Sequence, residues 1–74
     1  MNSTQCRMAR AALGFGVREL AERAKIAPST LARFEAGNEL KPRTVEAIQR
    51  ALESAGVEFI NGDAPGVRLR KKKR

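Results

Sequence analysis

Residues 17–37 read VRELAERAKIAPSTLARFEAG, two short helical patterns separated by room for a three-residue turn. The first runs from about Val17 to Ala24. Gly16 serves as its N-cap, Glu19 puts a carboxylate in the first turn where the helix dipole favours it, and Leu20, Ala21 and Ala24 form an apolar stripe. The second begins near Pro28, because proline at the first helical position wastes no amide, and stops at Gly37. At about 100° per residue, Leu31 and Phe34 point inward while Ser29, Arg33 and Ala36 fall on the opposite side. Lys25-Ile26-Ala27 makes the turn, with Ile26 as its apolar plug. This spacing fits helix-turn-helix geometry, and an exposed Ser/Arg face is what a reader of a DNA groove requires.

Working outward, the spacing of Cys6, Ala9 and Leu13 predicts a preceding helix that starts near Ser3 or Thr4 and ends at Gly14. Arg10 stands four residues after Cys6, inside that stripe, and Glu35 lies about 40° from Leu31 around its own helix. A buried charge deprived of its partner costs roughly 3 kcal/mol or more. An Arg10–Glu35 ion pair tying the two helices is therefore expected, the alternative being that each side chain reaches water alone. Downstream, Val45, Ile48 and Leu52, flanked by Ala51 and Ala55, predict a last helix from about Pro42 to Ala55, closed by Gly56.

The period then changes from helical to alternating. VEFI at 57–60 and VRLR at 67–70 bracket the loop 61–66, which reads as a β-hairpin with Val57 and Phe59 on one face of their strand and Arg68 and Arg70 opposite Val67 and Leu69 on theirs. An isolated two-stranded hairpin is marginal in water. It must pack on the bundle, pair with a second copy, or borrow a partner's strand. The expected fold is thus mainly α, a small helical bundle containing a helix-turn-helix, with a C-terminal β-hairpin and a basic tail. Residues 1–56 form the bundle, 57–70 the hairpin extension, and 71–74 a basic, disordered tail.

Size and charge bound the function. Seventy-four residues suffice for one small domain, near the limit at which a hydrophobic core holds without staples. One cysteine excludes an internal disulfide, and the absence of histidine leaves no Cys/His cluster for zinc, so neither metal nor cofactor is expected. Cys6 reads as a small core residue rather than a redox sensor. The N-terminus has arginines in place of an uninterrupted apolar run, which argues against a signal peptide or membrane span and for a reducing cytoplasm. No nucleophile stands with a base at workable spacing, and no glycine-rich phosphate loop occurs, so an enzyme is not expected. The formal charge of +7 favours a polyanionic partner. Residues 57–74 carry six Lys/Arg against two Asp/Glu, including the run Arg70-Lys71-Lys72-Lys73-Arg74, whereas residues 1–56 carry nine against six.

Through Arg10, Leu13-Gly14, Glu19-Leu20-Ala21, Leu31 and Phe34-Glu35-Ala36-Gly37, the chain resembles the Cro/C1-type helix-turn-helix family, also called the XRE family, of bacterial and phage regulators. The match spans roughly residues 4–55. The resemblance implies a lambda-repressor-like domain of five or nearly five helices whose third helix enters the major groove. The hairpin stands where a fifth helix would be. It further implies double-stranded DNA as partner, a palindromic operator and a homodimer.

Carried over by position, Pro28, Ser29, Ala32 and Arg33 are the residues that face bases, and Arg33 is the strongest of them because a guanidinium takes guanine O6 and N7 together. Val17 occupies a site where many relatives hold a phosphate with a polar side chain, so the phosphate contacts fall to Arg18, Lys25, Asn38, Lys41 and Arg43. The turn departs from the family pattern twice. Ala27 replaces a capping Ser or Thr, at about 1 kcal/mol, and Lys25 replaces a glycine at a left-handed position, at roughly another 1 kcal/mol. Two functions follow. One is a sequence-specific transcriptional regulator; the other is a protein-interaction module, such as a small antitoxin or antiactivator of this fold, that binds a partner protein with or without DNA.

Overall fold

The computed structural model describes residues 1–70, and the basic segment 71–74 lies outside the described residues. Four helices, α1 (Ser3–Leu13), α2 (Val17–Ala24), α3 (Pro28–Glu35) and α4 (Pro42–Ser54), are followed by strands β1 (Val57–Ile60) and β2 (Gly66–Leu69).

Each helix begins and ends for a local reason. At the start of α1, Asn2 Oδ1 accepts from the Gln5 amide at 2.7 Å and Gln5 Oε1 accepts from the Asn2 amide at 3.0 Å, a reciprocal cap that satisfies two otherwise orphaned donors. At its end Gly14 is left-handed, and the Phe15 amide reaches back to Arg10 O at 3.0 Å. Both α3 and α4 begin with proline at their first positions. After α4, Gly56 adopts φ 110°, a conformation costly for a residue with a side chain, and turns the chain into β1.

The core gathers one stripe from every helix: Cys6 and Ala9 from α1, Leu20, Ala21 and Ala24 from α2, Leu31 and Phe34 from α3, Ile48 and Leu52 from α4, with Val57 of β1 beneath. The alanines let the helices approach closely, and Leu20, Leu31, Ile48 and Leu52 fill the centre. Ile26 packs against this cluster from the turn between α2 and α3.

The hairpin packs on the bundle, with β2 against α1 and β1 against α4. It is antiparallel, pairing Val57 with Leu69, Glu58 with Arg68, Phe59 with Val67 and Ile60 with Gly66. The second strand therefore begins one residue earlier than alternation suggested, and Arg70 follows it, its amide donating to Gly56 O at 2.6 Å. Gln5, 2% exposed, fastens the far end: its Nε2 donates to Ile60 O and to Gly66 O, each at 3.1 Å. One side chain thus caps a helix with its oxygen and clamps the hairpin mouth with its nitrogen.

Candidate nucleic-acid interface

Helix α3 is two-faced. Pro28, Ser29, Ala32, Arg33 and Ala36 at its C-cap are exposed, and Leu31, Phe34 and Glu35 are buried. At 100° per residue the five exposed positions make one continuous arc of about 140°. The four residues assigned to bases from the sequence, Pro28, Ser29, Ala32 and Arg33, are therefore brought together on a single solvent-facing surface. Among the described residues no carboxylate pairs with the Arg33 guanidinium.

Behind that arc the helix is held by charge as well as packing. Arg10 and Glu35 form a bidentate pair, Nε to Oε2 at 2.9 Å and Nη2 to Oε1 at 2.8 Å, and Arg10 Nη1 donates to Phe15 O at 3.2 Å. The Cys6 thiol donates to Glu35 Oε2 at 3.5 Å. Among the described residues every buried side-chain nitrogen and oxygen has a partner, which is what makes a charge tolerable there. The Glu35 hydrogen bond raises the Arg10 guanidinium's pKa above its usual value, against the opposing effect of burial. Burial, reinforced by the Glu35 charge, pushes the Cys6 thiol up to about 12. The thiolate form needed for nucleophilic or redox chemistry is thereby suppressed.

The residues assigned to phosphates lie outside α3, in α2 and its C-cap, after α3 and at the start of α4. Lys25, exposed, closes α2 with φ 61°, the one non-glycine among the described residues at positive φ. Its amide donates to Glu22 O at 3.2 Å and the Ile26 amide to Ala21 O at 2.9 Å, so the turn is shaped by backbone bonds despite the strain of the side chain. Arg18 lies in the first turn of α2, Lys41 is the N-cap of α4, and Arg43 follows in its first turn; all are exposed and unpaired among the described residues.

Asn38, exposed, follows the C-terminus of α3. Its amide and its Nδ2 both donate to Arg33 O, at 3.0 and 3.1 Å, so it caps the C-terminus of α3.

The starts of α3 and α4 share a further property. Neither α3 nor α4 has a side-chain cap or an acidic residue in its first turn, and α4 instead places Lys41 and Arg43 there, against its own dipole. Free amides and uncompensated positive charge at a helix N-terminus are an arrangement that a bound anion stabilises. By contrast α2 carries Glu19, which pairs with Arg23 at 3.2 Å, and Arg23 also lies 4.3 Å from the centroid of the Phe15 ring.

Sequence reasoning missed Gln5 and the two roles of Phe15, whose carbonyl holds Arg10 and whose ring lies under Arg23. For Gln5 a signal existed: Asn2 and Gln5 stand at capping-box spacing. A family model described as a helix-turn-helix domain matches residues 4–59, taking in nearly all of α1, the other three helices and most of β1. No curated protein matches the chain.

Proposed function

We propose, because this chain belongs to the helix-turn-helix domain family of the XRE/Cro-type class, that it regulates transcription by laying α3 in the major groove of a double-stranded operator. The family is of a DNA-binding, non-enzymatic kind. The observation that carries the reading is the exposed arc of α3, on which Ser29 and Arg33, unpaired among the described residues, stand outward from a helix anchored behind by Leu31, Phe34 and Glu35.

In this reading Arg33 takes a guanine through O6 and N7, Ser29 bonds a base or phosphate, and Pro28 and Ala32 touch thymine methyl groups. Lys25, Arg18, Lys41 and Arg43, with the uncapped starts of α3 and α4, receive the phosphate backbone. Asn38, which also closes α3, contacts a phosphate from the other end of that helix. The operator is palindromic and the protein a cytoplasmic homodimer. The two-stranded hairpin leaves one outer edge on each strand for pairing with a second copy.

The test is selection of duplexes from a randomised pool at about 150 mM salt, where nonspecific phosphate binding is weakened. The expected result is enrichment of a palindrome containing a guanine whose preference is lost in Arg33→Ala, with a cost of about 1–3 kcal/mol at that position. Recovery of unrelated sequences by a folded protein would sink the operator reading. Sedimentation showing only monomer at high concentration, with operator half-sites present, would remove the homodimer.

A further inference from the structure

An open groove of about 550 Å³ lies between the C-terminal ends of α1 and α4, the end of β2 and the side of α2. Its lining is mostly apolar, from Ala12, Leu13, Phe15, Ala55 and Leu69, with Ser54 and the two basic residues Arg23 and Arg70, the first stacked on the Phe15 ring. None of its lining residues belongs to α3, to the turn before it, or to the start of α4. Leu69 is the telling residue. Its register partner Val57 is 1% exposed, yet Leu69, on the same face of the hairpin, is 51% exposed. The face that seals the core elsewhere is left uncovered at this end.

We propose that this groove binds an acidic, amphipathic segment of a partner protein. The apolar lining demands apolar side chains, since free phosphate or a nucleic-acid backbone gains nothing from Leu13, Phe15 and Leu69. The two basic residues demand carboxylates. Arg23 is shared with Glu19, but Arg70 has no carboxylate partner among the described residues and only reaches Glu53 O at 3.4 Å. Four further cations, Lys71, Lys72, Lys73 and Arg74, follow Arg70 directly in the chain.

The same charges argue against a second copy as occupant. An isologous contact centred here would set Arg23 and Arg70 against their own equivalents, with like charges opposed across a closing interface.

The experiment is a titration of isotopically labelled full-length protein, followed by amide resonances. Two synthetic helical probes of equal length carry Leu and Phe at i, i+3, i+4 and i+7, one with glutamate and the other with lysine at every remaining position. The glutamate probe is expected to shift the amides of Ala12, Leu13, Phe15 and Leu69 saturably, while the lysine probe binds at least about tenfold more weakly. Arg70→Glu and, separately, the exposed Leu69→Asn should each weaken the glutamate probe by about tenfold or more. Arg33→Ala should leave it unchanged and lower only DNA affinity. Absence of saturable shifts in the groove, equal binding of both probes, or shifts confined to α3 would overturn the proposal. So would movement of the same amides on concentrating the protein alone, which would assign the groove to a second copy.

Discussion

The guanidinium of Arg10 and the carboxylate of Glu35 meet side by side, with two hydrogen bonds of 2.8 and 2.9 Å between α1 and α3. Glu35 is the last residue of α3 and lies behind its exposed arc. The pair therefore fixes the rotation of that helix about its axis, which apolar contacts at Leu31 and Phe34 alone specify less sharply. A fork matched to a carboxylate has one good orientation, whereas a leucine in a pocket has several.

Removing either partner should cost more than converting both. Arg10→Ala or Glu35→Ala is expected to destabilise by about 2–4 kcal/mol, somewhat below the fully buried range because Arg10 is partly solvated. The double replacement Arg10→Met with Glu35→Leu should recover most of that stability while lowering operator affinity, since the orienting contact is gone. Urea denaturation and a duplex-binding titration on the three variants read this out. A double variant as unstable as the singles would contradict it.

Lys25 offers the opposite trade. Its φ of 61° suits glycine, so Lys25→Gly should raise stability by about 0.5–1 kcal/mol. The same change removes a cation beside α3, so the slope of log affinity against log salt should fall by about one. If the melting temperature drops instead, the strain assigned to this residue is wrong.

Gln5 is expected to control how firmly the hairpin is attached. Gln5→Leu keeps the volume but deprives Ile60 O and Gly66 O of their donor and Asn2 of its reciprocal cap, at a cost of about 1–3 kcal/mol. Hydrogen exchange should show faster opening of the amides of β1 and β2 than of α2 and α3. Uniform acceleration across the chain would mean that the hairpin and bundle open as one unit.

Alkaline titration isolates Cys6. Its folded value of about 12 lies above the ordinary 9.0, so the folded chain keeps the thiol proton after the unfolded chain has lost it. The resulting stability is complete below about pH 9 and is lost as pH rises toward 12. Between about pH 9 and 11 the urea midpoint should fall more steeply for the native chain than for Cys6→Ala. A thiol reagent at pH 8 should modify Cys6 only as fast as the protein opens; rapid labelling of the folded form would contradict its burial.

The helices were legible because each residue that sets them acts within one turn of itself. Pro28 and Pro42 start α3 and α4, Gly14 stops α1, and the stripes Leu20-Ala21-Ala24 and Leu31-Phe34 need only a period of 3.6. The Arg10–Glu35 contact could be anticipated because a charge inside an apolar stripe needs a partner. What the chain did not reveal depends on distant contacts. The bonds from Gln5 span 55 and 61 residues, and the commitment of Asn38 to Arg33 O depends on how the loop after α3 turns back. The docking of the hairpin on α1 was one of three options in the alternating pattern, and only the meeting of β2 with α1 selects it.

The clamp made by Gln5 has a consequence for the order in which the chain is made. Synthesis delivers α1 well before the carbonyls that receive its glutamine, at Ile60 and Gly66. Until then the Gln5 amide faces water, and the apolar flank of α1 that receives β2 has nothing to lie against. A nascent chain can assemble α1, α2 and α3 through contacts such as Arg10 with Glu35, 25 residues apart, whereas the clamp from Gln5 waits on closures of 55 and 61 residues. An arrest of translation within the hairpin would leave the flank of α1 that receives β2 exposed, a surface a chaperone or protease would meet.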